Sequence, residues 1–361
     1  MNLLERYVAR LMGGLFLALA LGLVVLFLVI DLGDWLRIYV GRPVSDVALV
    51  YWYRSHVALV QFAPGALVLS AGLAVTVVRR RGEWTALKAL GASSMTLLKP
   101  MAIVAVVVAT SLVAFQEWVV SFSGPQLDLL MLHRFERWGD FVSVYSPRRW
   151  FRVGESILNV RGEQSDERLA DVRIYTVARD SGSLTRWIEA GTLTWVSDGR
   201  WRAEGANELL FEGPQAAAGR KGIFELELPL KPEVTKLPVG RPEWLPISVL
   251  SRQVELLRTL ELATEPTRYA VHARVTSALA AVLAALLAAV LALGGQGRAS
   301  VPRALLEGAG LYGAMFLGGM ISRSLAINGR LSPPMAAWLV PVGLFLALAL
   351  VIARRSRSSA G

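Results

Sequence analysis

Leu11–Ile30 reads LMGGLFLALALGLVVLFLVI, an apolar run without a single charge. About 20 such residues, wound as a helix, cross a hydrocarbon core of about 30 Å. The competing reading is a secretory signal with Ala18-Leu19-Ala20 as its cleavage box. The run continues to Ile30, well past a signal's apolar core of about 7–15 residues, so a retained membrane span is expected. Working outward, comparable runs recur at Val57–Val78, Met101–Val120, Val271–Leu293, Ala304–Ser322 and Met335–Ala353. Composition agrees: of 361 residues, 54% are hydrophobic and 18% charged, where soluble domains carry about 25% charged residues. The chain has no cysteine and 3 histidines, which excludes disulfides, thiolate sites and cysteine nucleophiles.

The formal charge of +10 is unevenly placed. From Gln126 to Glu265 acidic and basic residues nearly balance, so the excess sits in the short loops between apolar runs. Arg79, Arg80, Arg81, Lys88 and Lys99 lie between the second and third runs, Arg298 and Arg303 between the fourth and fifth, and Arg354, Arg355 and Arg357 after the sixth. These loops share a side with Arg6 and Arg10, and the positive-inside bias makes that side cytoplasmic. Basic residues placed this way answer to a membrane, so no nucleic-acid partner is expected. The expected topology has both termini in the cytoplasm of an inner-membrane protein and exports the segment between the third and fourth spans.

In that segment the period changes. Trp150–Val153, Val172–Val177 and Leu193–Val196 alternate as strands, and Asp180-Ser181-Gly182-Ser183 and Ser197-Asp198-Gly199-Arg200 carry turn chemistry. Short strands over Phe141–Leu237 predict an antiparallel sandwich or jelly roll. Ser248–Leu262 predicts an amphipathic helix with Val249, Val254, Leu257 and Leu260 on one side. Only His133, at the segment's edge, could serve a hydrolytic triad, so a binding or docking module is favoured over an enzyme. The fold class read here is a polytopic α-helical membrane protein with six transmembrane helices (3+3) and a periplasmic β-jellyroll inserted between the third and fourth. Its parts are residues 1–125, 126–265 and 266–361.

Between the second and third spans, Glu83-Trp84-Thr85-Ala86-Leu87-Lys88-Ala89-Leu90-Gly91 has Trp84, Leu87 and Leu90 at near-helical spacing, with Gly91 placed to end a helix. Glu83 sits where a helix dipole favours negative charge. Two readings stand: a basic inside loop with a helix cap, or a short helix over residues 82–91 that docks on a cytoplasmic partner.

The order of these features resembles the LptF/LptG permease family. Leu4-Glu5-Arg6-Tyr7-Val8 resembles the LptG-type start. Phe62-Ala63-Pro64-Gly65-Ala66-Leu67 followed by Glu83–Gly91 resembles the second span and coupling helix. Glu117-Trp118-Val119, Val172-Arg173-Ile174-Tyr175 and Ser332-Pro333-Pro334 also match in order. The resemblance implies a permease subunit of an ATP-driven exporter that extracts lipopolysaccharide from the inner membrane for the outer membrane. It implies a paired LptF-like permease, an LptB-like ATPase dimer under the coupling helices, and LptC- and LptA-like periplasmic bridge proteins. Glu83, Trp84, Leu87, Leu90 and Gly91 would then couple to the ATPase. ATP and Mg2+ would sit on that partner, because this chain has no G-x-x-x-x-G-K-[ST] loop; no directly bound cofactor or catalytic residue is expected. Arg37 fits the family's basic residues near substrate phosphates, although Asp31 and Asp34 bring negative charge to the same stretch. A different envelope lipid or lipoprotein as cargo, or a non-transport scaffold for envelope proteins, are the alternatives.

Small residues recur every four positions at Gly14, Ala18 and Gly22 in the first span and at Gly310, Ala314 and Gly318 in the fifth. Such stripes let helices approach closely, and the resemblance makes these two spans the lateral gate. Ala281, Ala285 and Ala289 share the spacing. Glu307 is expected to pair with Arg303 one turn earlier. Arg323, near the outer end of the fifth span, is either an interfacial anchor or a contact for a phosphorylated lipid head.

Overall fold

A helix continues until its backbone is turned or its N–H is missing, and in the first two helices the stops lie outside the apolar runs. The computed structural model describes residues 3–135, 149–153, 155–165, 167–178, 182–197, 199–212, 215–228, 230, 242–259, 263–294 and 299–358. Helix α1 spans Leu3–Tyr39 and α2 Val44–Arg80, 37 residues each. Each is about 55 Å long at ~1.5 Å per residue. Gly41 (φ +81°) followed by Pro43 separates them, and Gly82 (φ +75°) ends the second. Hydropathy therefore marks the part of each helix that lipid can cover, and the helices extend beyond it.

After the short α3 (Glu83–Ala89) come α4 (Met95–Phe115), a π-helical turn at Gln116–Val120 and α5 (Ser121–Phe135). Beyond the strands lie a 3-10 turn at Pro242–Trp244 and α6 (Ile247–Thr259), then α7 (Glu265–Gly294), α8 (Val301–Ile327) and α9 (Pro333–Ser358). Among the described residues 6 helical segments are long and apolar enough to cross a membrane. In chain order, three precede the strands and three follow them. The expected amphipathic helix is α6; residues 260–262 of its expected range lie outside the described residues. The chain divides into two compact units, one carrying the helices and the other the strands.

In the helical unit α2 and α7 form the middle. In each, 61% of the most apolar window is buried, against 17% for α1 and 11% for α8. Alanine makes this possible: Ala281, Ala285 and Ala289 of α7 are all nearly inaccessible and pack with Leu67, Ala71, Val75 and Met101. Small side chains bring helix backbones together where lipid supplies no hydrophobic drive. Arg79 Nη1 donates to the Ala292 carbonyl (2.5 Å) in the last turns of α7, so this nominally topogenic arginine also satisfies a helix terminus.

In the other unit, β1 (Arg149–Val153), β2 (Ser156–Ser165), β3 (Arg168–Val177), β4 (Leu184–Ser197), β5 (Arg200–Glu212) and β6 (Gln215–Glu227) form one 6-stranded antiparallel sheet, each pairing with its neighbours in sequence. The three expected strands fall within β1, β3 and β4. Pairings between non-consecutive strands, which a jelly roll adds, do not occur in the described sheet. Leu158, Val172, Ile174, Ile188, Leu193 and Trp201 are buried, and Trp201 Nε1 donates to the Leu230 carbonyl (2.9 Å). Gly182 and Gly199 have positive φ at the expected turns; Asp180, Ser181 and Asp198 lie outside the described residues, as do residues 141–148 and 231–237.

Candidate functional site

The short helix α3 ends in a pair of hydrogen bonds that only a left-handed residue permits. Gly91 (φ +80°) donates to the Lys88 carbonyl (2.9 Å) and Ala92 to that of Leu87 (3.0 Å). This is the Schellman arrangement, with glycine at the position where a Cβ would be strained. At the other end, Tyr7 of α1 donates its hydroxyl to Glu83 Oε1 (3.1 Å), and Arg81 Nη1 donates to the same hydroxyl (2.9 Å). Arg81 also lies 3.8 Å from the Glu83 carboxylate, and Lys99 pairs with Glu5 at 3.6 Å.

The apolar residues of α3 do not act together. Trp84 is buried in the cluster containing Val8, Met12, Val78 and Leu97, and Leu87 packs partly against it. Leu90 is 86% exposed. Sequence spacing had grouped the three, but positions i and i+6 lie about 120° apart around a helix of ~3.6 residues per turn. Trp84 therefore anchors α3 to its own chain, with Lys88 Nζ 5.5 Å above its ring, and Leu90 is the apolar side chain left to project.

A second constellation gathers on Pro242–Ile247. The π-helical turn carries Gln116, whose Nε2 donates to the Glu243 carbonyl (3.2 Å), and Glu117, whose carboxylate accepts from Ile247 N–H at 2.8 and 3.0 Å. Glu117 thus caps α6 from a distant element, complementing its helix dipole; the extra residue of a π turn commonly redirects side chains at functional positions. Arg274 of α7 donates to the Leu245 carbonyl (2.7 Å), and Arg323 of α8 pairs with Glu243 (2.6 Å). Trp244 lies against Gly124 of α5, where an added Cβ would come within 2.6 Å of the indole. Below these contacts a cavity of about 420 Å3 is bounded by α2, α7, α8 and α9, and Arg274, Ser322 and Arg323 are among its lining residues.

The profile described as "Lipopolysaccharide export system permease LptF/LptG" matches residues 6–355, nearly the whole chain. The chain belongs to the LptF/LptG family. No curated protein matches it. Membership makes it a lipopolysaccharide export permease at family level, a multi-pass inner-membrane protein and a participant in an export complex.

In this LptF/LptG-family chain the other expected residues fall in different settings. Arg37 is exposed near the end of α1, with no charged partner among the described residues. Asp31, in contrast, is taken up by Arg54 of α2, a pair sheltered to 9% and 12% side-chain exposure, and accepts from the Tyr51 hydroxyl (3.0 Å). Trp35 covers the Arg54 guanidinium at 5.2 Å. Sequence reasoning missed this cluster because its members are separated by helix ends and a turn. Gly14, Ala18, Gly22, Gly310 and Ala314 are exposed, and only Gly318 makes a close approach, its Cβ position lying 3.1 Å from Val340 Cγ2. Closer approaches among the helices occur at Gly65 against Tyr312, Gly308 against Leu69 and Gly124 against Trp244. Glu307 pairs with Arg303 at 2.7 Å, as the spacing predicts.

Proposed function

We propose that this chain is the LptG-like half of an ATP-driven lipopolysaccharide exporter, with three spans, a periplasmic β domain of jelly-roll type and three further spans. Both termini and α3 face the cytoplasm, in keeping with the basic loops on that side. A paired LptF-like permease completes the membrane part, and the exposed small-residue stripes of α1 and α8 supply surfaces that this partner's helices can approach closely. An LptB-like ATPase dimer hydrolyses ATP with Mg2+ and receives Glu83 and the exposed Leu90. LptC- and LptA-like proteins take the lipid onward from the β domain. The chain itself has no enzymatic role, and Arg37 is its leading contact for the lipid's phosphates.

The observation that carries this reading is the attachment of α3. A topology-setting loop needs charge and nothing more, whereas this segment is a capped helix with its tryptophan in the core of the bundle and its carboxylate held by α1. A helix fastened in this way transmits force from a soluble partner to a span. The test is co-purification of the ATPase together with lipid-stimulated ATP hydrolysis. Glu83→Ala is expected to lose association, since truncating one partner of a buried charge pair costs about 2–5 kcal/mol. Glu83→Gln should be intermediate and Arg80→Ala milder. Wild-type coupling in Glu83→Ala would reduce α3 to a loop that sets topology.

A further inference from the structure

Among the described residues, four charged side chains gather around Pro242–Ile247: Glu117, Glu243, Arg274 and Arg323. The N-terminus of α6 meets Glu117, and Glu243 and Arg323 pair with each other. Arg274 lies in the field of Glu117 and Glu243. It is 4% exposed and donates from Nη2 to the Leu245 carbonyl, while its Nη1 has no hydrogen-bond partner among the described residues. Among the same residues Ser322, 1% exposed, has an unpartnered Oγ as well. Both residues line the same cavity.

Buried polar groups in native proteins are nearly always hydrogen-bonded, and an ionisable side chain within a membrane helix marks a functional position. The remaining wall is largely hydrocarbon, with Pro64, Ala273, Ala280, Met315 and Val340 among it. Two polar groups lacking acceptors beside an apolar chamber match an amphiphile with an oxyanion at one end and a chain at the other. The volume of about 420 Å3 lies in the range of small-ligand pockets, roughly 300–1,000 Å3. It suits one acyl chain and is far too small for a lipid bearing many. Phe316 and Met320 at the lining are also exposed on α8, which gives bilayer lipid a lateral approach.

We propose that this cavity holds one acyl chain of an anionic glycerophospholipid whose phosphate accepts hydrogen bonds from Arg274 Nη1 and Ser322 Oγ, a resident lipid separate from the exported one. The proposal rests on α7, α8 and α9 being membrane-embedded and is independent of the export reading. A lipid seated under Pro242–Ile247 completes the polar cluster that fastens this segment to the bundle.

The test uses the full permease complex, delipidated in mild detergent and titrated by native mass spectrometry with phosphatidylglycerol, with diacylglycerol lacking the phosphate, and with inorganic phosphate in separate arms. One phosphatidylglycerol per copy is expected, bound at least about tenfold more tightly than diacylglycerol. Ala273→Leu, which fills the chamber and leaves the charges in place, should lose that binding at an unchanged melting temperature. Arg274→Gln should erase the preference for the phosphate-bearing lipid, and Ser322→Ala should weaken it. Equal binding of phosphatidylglycerol and diacylglycerol would overturn the oxyanion assignment. Competition by inorganic phosphate alone would reduce the cavity to an anion site. Retention in Ala273→Leu would place the lipid elsewhere, and one-for-one displacement by lipopolysaccharide would make the cavity part of the export path. Lipopolysaccharide transport by the same complex in vesicles, scored separately, reports on the export reading alone.

Discussion

Removing one hydroxyl should loosen α3 on α1. In Tyr7→Phe the ring stays in the apolar cluster beside Val8 and Trp84, so packing is conserved and only two hydrogen bonds are lost, one to Glu83 and one from Arg81. Hydrogen bonds to charged groups contribute about 1.5–3 kcal/mol each when sheltered. Here the Arg81 and Glu83 side chains are 58% and 34% exposed, and water competes for both. Discounting for that exposure leaves about 1–2 kcal/mol for the pair, equivalent to roughly a 5- to 30-fold change in the undocking equilibrium. The assay is amide hydrogen exchange on the intact complex, read at Ala86–Ala92, whose N–H groups bond within α3 and its cap. Exchange limited by local opening should accelerate by that factor, while amides in the middle of α2 and α7 keep wild-type rates. Trp84→Ala is the positive control: deleting a buried large aromatic side chain costs about 3–5 kcal/mol and should release α3 almost completely. ATP hydrolysis that continues without lipid transport in Tyr7→Phe would be the functional counterpart. Unchanged exchange in Tyr7→Phe, with Trp84→Ala behaving as expected, would refute the idea that the hydroxyl fastens this helix.

Reporter fusions at Gly91 and Ser358 should read as cytoplasmic and those at Gly41, Gly182 and Gly329 as periplasmic; an inside signal at Gly182 would reverse the proposed orientation. Gly124→Ala places a methyl group 2.6 Å from the Trp244 ring, and overpacking of this kind costs about 1–3 kcal/mol. A fall in the complex's thermal midpoint is expected for Gly124→Ala, with none for Gly14→Ala, whose Cβ position meets nothing within 4 Å in this chain; equal midpoints for wild type and Gly124→Ala would show that the indole moves aside.

Six apolar runs, the change of period between the third and fourth, the Glu83–Gly91 helix with its glycine stop, and the Arg303–Glu307 pair were all legible in the sequence alone, because each depends on neighbours within a turn or two. Span limits were legible only in part. Hydropathy reports where lipid lies, while α1 and α2 end where Gly41, Pro43 and Gly82 break the backbone. Which face of each helix turns inward was not legible. In a soluble protein, water forces a polar face on every surface helix; in a bilayer the lipid is as apolar as the core, so α7 and α9 are equally apolar although one is buried and the other exposed. The four-residue spacing therefore could not separate Ala281, Ala285 and Ala289, which pack within the chain, from Gly14, Ala18 and Gly22, which do not. The polar contacts were hidden for a second reason. Tyr7 reaches Glu83 across 76 residues and Glu117 reaches Ile247 across 130, distances at which no local period or spacing carries information. A charge inside a bilayer demands a partner, and no local pattern names which one. Only the tertiary packing of the helices decided that Asp31 and Arg54 meet, that Glu117 is answered by a helix N-terminus, and that one Arg274 nitrogen is left without a partner among the described residues.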